Sequence, residues 1–170
     1  MQFPYRKILI VGCGGAGKST LARDMGARFS LPVVHLDKLW WLPGWQHRTE
    51  DAFDKLLLEE LQKPCWIMDG NFVRTFETRL KHADLCIFLD FDAELCISSA
   101  YARAEEYHGR TRPDMAEGCP EVVRPEYEEW IRGFRLQVRP QMMEILKGSE
   151  TPYLVFPTRE EVQNWLIRYQ

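Results

Sequence analysis

The sequence lacks the features of secreted, membrane-spanning and disulfide-stapled proteins. The first seven residues, MQFPYRK, hold no apolar stretch like that of a signal peptide, and no apolar run reaches the length of a membrane span. The five cysteines are odd in number and include no C-x-x-C pair, which disfavours a disulfide framework or a zinc site. We therefore expect a cytoplasmic protein with reduced thiols and no membrane partner.

The chain also lacks an excess of basic charge, because 22 Lys and Arg face 25 Asp and Glu and the net charge is −3. An overall basic field would favour nucleic acid, so this partner is disfavoured, although a local basic patch stays open. With 170 residues and no internal repeat, the length predicts one domain over residues 1–170, as a monomer or a homodimer.

What the chain does contain is a phosphate-binding motif near its N-terminus. Residues 12–19 read GCGGAGKS and fit G-x-x-x-x-G-K-[ST], between the apolar run Ile8–Val11 and a helical pattern. The glycines let successive backbone N–H groups point at an anion, and the helix N-terminus favours negative charge there. The motif predicts ATP with Mg²⁺, where Lys18 reaches the β- and γ-phosphates and is catalytic. The predicted nucleotide-binding residues of the loop are Gly12, Gly14, Gly15, Ala16, Gly17, Lys18, Ser19 and Thr20.

Five short apolar runs separated by helical patterns predict an α/β fold. This alternation is typical of a parallel sheet with helices on both faces. The runs are Ile8–Val11, Pro32–Leu36, Cys65–Met68, Leu85–Leu89 and Tyr153–Phe156. Helices are predicted up to Phe29, from an N-cap at Thr49, over Thr75–Lys81, from Asp92 toward Tyr107, over Pro125–Leu146 with a break at Pro140, and over Arg159–Tyr169. Residues 108–125, rich in Gly, Pro and charge, are predicted to form a lid.

Acidic residues end several of these strands, and ligands of parallel sheets bind beyond the carboxyl ends of strands. Asp69 and Asp90 each follow a buried run, and either could serve Mg²⁺. We assign the metal to Ser19 and Asp69, with Asp90 as the rival and a simple strand-end turn as the alternative for both.

A second binding region is predicted over residues 37–62. Asp37 ends the second strand and would bind a hydroxyl or a base of an acceptor, beside Trp40 and Trp41. With Trp45 nearby, these rings could stack on a base for about 1–3 kcal/mol each. The alternative is that the tryptophans are packing residues.

Arginines are concentrated in the second half of the chain. Phosphoryl transfer spreads negative charge over the moving group, so several convergent cations are needed. The alternative for any single arginine is an exposed helix residue with a glutamate partner, such as Arg132 with Glu128. The arginines in question are Arg74, Arg79, Arg103, Arg110, Arg112, Arg132, Arg135 and Arg139.

The loop after the last strand carries Pro157 and Arg159 and is predicted to line the base pocket of the nucleotide. The alternative, which is compatible with the first, is a turn in which Thr158 caps the last helix.

Together these segments resemble the adenylate-kinase-like group of P-loop kinases, and within it the small bacterial family of DNA-topology modulation proteins. The residues that carry the resemblance are Gly12–Ser19, His35–Lys38, Trp40–Trp45, Met68–Phe72, Leu85–Asp90 and Gly109–Glu121. The resemblance implies a P-loop three-layer sandwich with a five-stranded parallel sheet in the order 2-3-1-4-5, an acceptor region after the second strand and an arginine-bearing lid.

The segment from Asp69 to Arg74 is similar to the Asp-Gly-Phe-Pro-Arg stretch of adenylate kinases, whose arginine grips the acceptor phosphate. Asn71 and Val73 interrupt that stretch here, which makes Arg79 a rival to Arg74. The lid lacks the four-cysteine zinc site of some adenylate kinases.

The expected function is an ATP-dependent phosphotransferase of the nucleoside-monophosphate-kinase type that acts on a nucleotide or another small acceptor. The predicted catalytic arginines are Arg79, Arg103, Arg110 and Arg112, and the predicted substrate-binding residues are Asp37, Trp40, Trp41 and Arg74. Two alternatives stay open: a nucleotide-binding regulator of DNA topology or gene expression that uses Arg132, Arg135 and Arg139, and an NTPase that needs no acceptor.

Overall fold

A sheet of short, mostly apolar strands forms the centre of the molecule, beside a separate two-stranded hairpin, in the computed structural model, which describes residues 3–169. The strands are β1 (Lys7–Gly12), β2 (Val33–His35), β3 (Trp41–Leu42), β4 (Gln46–His47), β5 (Trp66–Asp69), β6 (Leu85–Leu89) and β7 (Tyr153–Phe156). Five of them pair in parallel in the order β2-β5-β1-β6-β7, with β1 in the middle. Strands β5 and β6 are buried along their whole length, which explains why they read as continuous apolar runs.

The predicted fold class is therefore confirmed, with one difference of detail. Counted along the chain, the strands of the main sheet follow the order 2-3-1-4-5. The difference is an additional antiparallel hairpin, β3–β4, which the sequence did not predict. Its turn is the 3₁₀ segment Pro43–Trp45, where Gly44 has a φ of +76°.

Within the described residues, eight α-helices surround the strands: α1 (Lys18–Phe29), α2 (Leu36–Trp40), α3 (Glu50–Leu61), α4 (Phe76–Leu80), α5 (Ala93–Glu106), α6 (Pro125–Gln137), α7 (Arg139–Gly148) and α8 (Arg159–Ile167). Three of them start at side-chain caps. Thr49, Asp92 and Thr158 accept hydrogen bonds from backbone N–H groups in the first turns of α3, α5 and α8. These caps satisfy N–H groups that a helix start otherwise leaves open, and they explain why the predicted starts agree with the structure.

The long helix predicted over residues 125–146 is divided, as Pro140 suggested. The helix α6 ends before Val138 and α7 begins at Arg139. Pro140 lies in the first turn of α7, where a missing N–H group removes no helical hydrogen bond.

One local prediction is wrong. Asp37 was expected at the end of the second strand, but β2 ends at His35 and Asp37 lies in the first turn of α2. The fully buried Leu36 anchors this turn, and it packs so close to Gly70 that a Cβ there would lie 2.9 Å from the Leu36 Cβ. Asp37 still lies at the carboxyl edge of the sheet.

Residues 108–125 form a loop that contacts the β3–β4 hairpin, and the last of them, Pro125, is the first residue of α6. Gly44 N–H donates to the Gly118 carbonyl (2.9 Å), and the Cys119 thiol donates to the Leu42 carbonyl (3.1 Å). Two isolated bridges, His108–Glu121 and Thr111–Pro120, give the loop its own internal order. Across residues 3–169, no helix combines the length and the apolar character that crossing a membrane requires.

Candidate active site

The motif at residues 12–19 forms a loop between β1 and α1. Gly15 and Gly17 have φ values of +77° and +90°, in the region that glycine adopts most readily. Gly17 is the N-cap of α1 and supplies no side-chain cap. The first N–H groups of the helix therefore remain available to an anion, which is the geometry a phosphate requires.

Lys18 lies at the mouth of this loop. Its Nζ donates to the carbonyls of Gly12 (3.0 Å) and Cys13 (2.8 Å). Burial lowers the pKa of Lys18, and the carboxylates of Asp69 and Asp37 oppose this shift. The ammonium group thus lies beside the loop, held by neutral carbonyls that a phosphate oxygen can replace.

Ser19 and Asp69 lie together at the head of the loop. The Ser19 hydroxyl donates to Asp69 Oδ2, and Asp69 Oδ1 lies 2.7 Å from His35 Nδ1. Within residues 3–169, no group of three His, Cys, Asp or Glu side chains surrounds a common point. One hydroxyl and one carboxylate suit Mg²⁺, which usually takes its other ligands from phosphates and water. The residues present therefore fit the expected metal.

Asp90, the rival for the metal, is engaged elsewhere. Its two carboxylate oxygens accept hydrogen bonds from Arg139 Nε (2.8 Å) and Nη2 (2.7 Å). The same bond pattern raises the pKa of Arg139. Asp69 is thus the strand-end acid that lies beside Ser19.

A cavity of about 520 Å³, called here the loop cleft, opens over the phosphate-binding loop. It brings together most of the predicted site. The predicted residues that line it are Gly14, Gly15, Gly17, Lys18, Ser19, Thr20, Asp37, Asp69, Arg103, Arg112 and Arg159. Gly12 and Ala16 are buried beneath the loop. Asn71 braces its start, because the side-chain amide accepts from Gly12 N–H (3.0 Å) and donates to Gly12 O (2.7 Å).

A second cavity of about 480 Å³, the tryptophan cleft, adjoins the first. Trp41 and Trp45 line it, with ring centroids 5.3 Å apart at 78°. The two clefts share four side chains: Asp37, Arg103, Arg112 and Tyr127. Two molecules, one in each cleft, would therefore meet at these four residues.

Trp40 belongs to the packing and not to the clefts. Its ring stacks on His47 (centroids 4.6 Å apart, 5°) and meets Phe53 edge to face (5.6 Å, 89°). The prediction that Trp40 binds substrate is therefore corrected, because α3 covers the ring that was expected to face a ligand.

Among the described residues, Asp37 has an unpaired carboxylate at the junction of the two clefts. No side-chain hydrogen bond to it occurs within the described chain, although it lies near Lys18 and Arg112. Burial and the nearby Asp69 raise the pKa of Asp37, against the opposing effect of the two cations. A carboxylate without a fixed partner is available to a ligand hydroxyl.

Arg103 and Arg112, which come from α5 and the 108–125 loop, are held by one buried acid. The Glu121 side chain is only 4% exposed and pairs with Arg103 (3.0 Å) and with Arg112. Arg112 also donates to Asp114 (2.7 Å), which pairs with Arg23 of α1 (3.1 Å). Burial alone would raise the pKa of Asp114, but its cationic neighbours outweigh burial and lower it. Loop, α5 and α1 are thus joined by alternating charges.

Arg79 does not reach either cleft, which corrects its predicted catalytic role. It is 0% exposed and donates to Gly70 O (3.1 Å), Phe72 O (3.2 Å) and Thr75 Oγ1 (3.2 Å). Burial lowers the pKa of Arg79 to about 10. Arg79 therefore stabilises the backbone turn after β5, because its guanidinium is hydrogen-bonded to carbonyls of that turn.

Arg74 and Arg110 are also placed outside both clefts. Arg74 donates to both oxygens of Asp54 (2.9 and 2.7 Å) at the surface, so its predicted substrate-binding role is corrected. Arg110 is exposed and lies over the Tyr107 ring, 5.7 Å from its centroid, so its predicted catalytic role is corrected as well.

In the loop after β7, Thr158 acts as the predicted cap, and Arg159, but not Pro157, lies at the cleft. Thr158 caps α8, and Arg159 lines the loop cleft and a third cavity of about 350 Å³ beside Gly17. Arg159 Nη2 also donates to Ser99 Oγ (2.6 Å). Pro157 is exposed and lies outside these cavities, so its predicted contact with the base is corrected.

The arginines of the regulatory alternative are largely neutralised. Arg132 pairs with Glu128 (2.9 Å) and Glu94, and Arg139 pairs with Asp90. Two of the three side chains expected to contact nucleic acid are thus already bound to acids, which argues against a free basic face.

Sequence reasoning missed several residues of the site: Arg23, His35, Asp114, Glu121 and Tyr127. His35 and Asp114 stand in segments that were singled out, one before Asp37 and one after Arg112. Tyr127 carries no such signal, because it lies in a helix that the sequence marks only by its apolar periodicity.

The fold resembles that of solved kinases over nearly the whole chain. Shikimate kinase from Acinetobacter baumannii, in complex with shikimate, superposes with a TM-score of 0.61 at 15% identity, over 97% of this chain and 94% of that one. Shikimate kinase from Bacteroides thetaiotaomicron gives 0.55 at 16% identity, over 98% and 97%. Deoxyadenosine kinase from M. mycoides with bound dATP gives 0.55 at 15%, over 95% and 97%.

No protein-family model matches the chain, and no curated protein sequence matches it. The structural likeness therefore shows the fold, since identities of 15–16% carry no substrate from one protein to another. The chain has the α/β fold of these kinases, with the loop of residues 12–19 at the carboxyl edge of its sheet.

Proposed function

We propose that the protein is an ATP- and Mg²⁺-dependent phosphotransferase that acts on a nucleotide or another small acceptor. The observation that carries this proposal is the meeting of two clefts at Asp37, Arg103, Arg112 and Tyr127. Phosphoryl transfer needs a donor and an acceptor held in line, with cations around the group that moves. One cleft over a phosphate-binding loop and one beside it supply that arrangement.

The loop cleft would take the donor. The loop N–H groups and Lys18 would bind its phosphates, and Arg159 would border its base. Ser19 and Asp69 would hold Mg²⁺, which when bound neutralises charge on the phosphates. The solved kinases of the same fold support a kinase-type reaction, and one of them contains dATP.

The tryptophan cleft would take the acceptor. Trp41 and Trp45 offer apolar surface, and Arg103 and Arg112 offer positive charge fixed by Glu121. Asp37 would accept the proton of the attacking hydroxyl or orient that group, because its carboxylate has no fixed partner. Its raised pKa suits this task, since a stronger base takes the proton more readily.

The test is an acceptor screen with ATP and Mg²⁺, in which ADP formation is measured for nucleosides, nucleoside monophosphates and hydroxy acids. Lys18→Ala should lower acceptor-dependent turnover by about 10²–10³-fold, as expected for the loss of a group that stabilises transition-state charge. Lys147→Ala removes an exposed lysine of α7 and serves as the matched control.

Three outcomes would count against the proposal. Equal turnover by Lys18→Ala and the wild type would refute it. Equal ADP formation with and without every acceptor would indicate an NTPase. Binding of ATP without turnover, together with salt-sensitive retention of DNA, would indicate the regulatory alternative.

A further inference from the structure

Tyr127 lies at the junction of the two clefts, although it comes from α6, which is far from the phosphate-binding loop in sequence. Its phenol ring stacks nearly parallel on Trp130, with centroids 6.1 Å apart at 9°. This packing involves the ring and leaves the hydroxyl pointed at the loop. We propose that Tyr127 is a catalytic residue whose hydroxyl donates a hydrogen bond to the phosphoryl group during transfer, an inference that rests on the proposed function.

The first support for this role is the contact of the hydroxyl with Gly14. A Cβ built on Gly14 would overlap the Tyr127 Oη, so the hydroxyl rests directly on the main chain of the loop. The carbonyl of the preceding Cys13 holds the ammonium of Lys18. The hydroxyl and the ammonium therefore lie at the same end of the loop, the end that Lys18 marks for the γ-phosphate.

The second support is the position of Arg103. Arg103 lines both clefts together with Tyr127, and its guanidinium also pairs with Glu121. Burial raises the pKa of Tyr127, and the charge of Arg103 only partly opposes this. The hydroxyl thus stays protonated at neutral pH and serves as a donor.

Phosphoryl transfer would be assisted by a hydrogen-bond donor beside the γ-phosphate. In the transfer step, the bond between the γ-phosphorus and the bridging oxygen of the donor breaks, and a bond from the acceptor oxygen to that phosphorus forms. The acceptor proton passes to Asp37, and ADP leaves with the bond's electrons. Lys18, Arg103 and the Tyr127 hydroxyl stabilise the negative charge spread over the equatorial oxygens, and the hydroxyl neither gains nor loses a proton overall.

Tyr127→Phe tests this directly, because it removes only the hydroxyl and keeps the ring on Trp130. The matched control is Tyr101→Phe, since the Tyr101 hydroxyl donates to Glu128 (2.6 Å) on the exposed side of α5 and lies outside both clefts. For each variant, kcat with the best acceptor, the rate of ATP hydrolysis without acceptor, and the Kd of ADP are measured, with melting temperature as a check of folding.

We expect Tyr127→Phe to lower kcat and the hydrolysis rate by about 10²-fold, the typical cost of one lost transition-state donor. The Kd of ADP should stay nearly unchanged, because ADP lacks the phosphoryl group that the hydroxyl touches. Tyr101→Phe should behave as the wild type.

The inference is overturned if Tyr127→Phe keeps the wild-type kcat, if its ADP affinity falls as much as its kcat, or if Tyr101→Phe loses as much. These results differ from a failure of the proposed function itself. In that case the wild type would show no acceptor-dependent turnover, whereas a failure of the tyrosine alone leaves the wild type active and dependent on Lys18.

Discussion

The phosphate-binding loop and the tryptophan cleft lie side by side but are built in different ways. The loop uses the main chain of eight consecutive residues, 12–19, whose glycines and helix start supply the N–H groups. The tryptophan cleft uses side chains from α2, the β3–β4 hairpin, α5, the 108–125 loop and α6. A site made of contiguous backbone is therefore sensitive to glycine replacement, and a site made of assembled side chains is sensitive to loss of single functional groups.

The two regions also differ in how their charges are balanced. Around the tryptophan cleft, buried acids and arginines alternate, and Glu121 and Asp114 each contact two arginines. Asp37 and Glu126 have no such partner within residues 3–169, and of these two acids only Asp37 lines both clefts. A charge left unpaired in an otherwise paired region is a candidate for chemistry.

The largest effect is expected from Asp37→Asn in the side-chain region. Loss of a general base typically lowers a rate by about 10²–10⁴-fold, so kcat for the best acceptor should fall within that range. The Kd of ATP should change little, because the phosphate-binding loop remains intact. Steady-state kinetics and equilibrium binding of an ATP analogue measure the two quantities separately.

Asp90→Asn is the matched control, since it removes a carboxylate from another strand end that lies outside both clefts. It should leave kcat near the wild-type value. A kcat for Asp37→Asn as high as that for Asp90→Asn would contradict the role proposed for Asp37 toward the acceptor.

A smaller effect, on ATP binding and not on kcat, is expected from Gly15→Ala in the phosphate-binding loop. Gly15 has a φ of +77°, and a Cβ there would overlap the main-chain carbonyl of Cys96, which cannot move aside as a side chain can. The loop must change shape, and we expect ATP affinity to fall by about 10²-fold, or about 2.8 kcal/mol.

Gly17→Ala provides the matched comparison. Gly17 has a similar φ of +90°, but among residues 3–169 no atom beyond its own neighbours in the chain lies within 4 Å of a Cβ built there. The Gly17→Ala variant should therefore incur only backbone strain of about 1–2 kcal/mol, which would lower its ATP affinity by about tenfold. Isothermal titration with an ATP analogue measures both variants, and equal losses would show that the contact with Cys96 does not matter.

The same difference explains how much of the molecule the sequence predicts. Apolar runs such as Leu85–Leu89 predict buried strands, and Thr49 and Asp92 mark helix starts by their capping chemistry. The phosphate-binding loop is legible because its residues are consecutive. Asp69 can also be recognised as a strand end. The sequence does not show why Asp69 and not Asp90 lies free for the metal, because Asp90 is bound by Arg139, 49 residues after it in the chain.

The tryptophan cleft is harder to predict from the sequence, because the same residue types serve packing and function. Trp40 and Trp41 are adjacent, yet α3 covers the first and the second lines the cleft. Arg79 and Arg112 are both buried, but Arg79 binds backbone carbonyls and Arg112 faces the cleft. Only the three-dimensional arrangement of α2, α3 and the 108–125 loop decides between these outcomes.

The smallest expected effect is on stability and again concerns Asp37. Burial and Asp69 raise its pKa in the folded protein above the unfolded value, while Lys18 and Arg112 oppose this and Asp114 adds to it. The folded state therefore holds the proton more tightly, and the ionised carboxylate costs stability as pH rises through the raised pKa. Asp37→Asn removes that cost, so at pH 7 we expect a gain of about 1 kcal/mol, or about 2–4 °C in Tm.

Thermal melts of the wild type and Asp37→Asn across the acid range measure this difference. The gain in Tm should shrink as pH falls below the ordinary carboxyl range, because the wild-type Asp37 is then protonated and neutral like asparagine. A gain that persists at low pH would arise from packing instead, and a lower Tm at pH 7 would mean that Lys18 and Arg112 stabilise the carboxylate more than burial penalises it. In the expected case, Asp37 reduces stability and increases rate, which is the combination that distinguishes a functional acid from the structural acids Asp114 and Glu121.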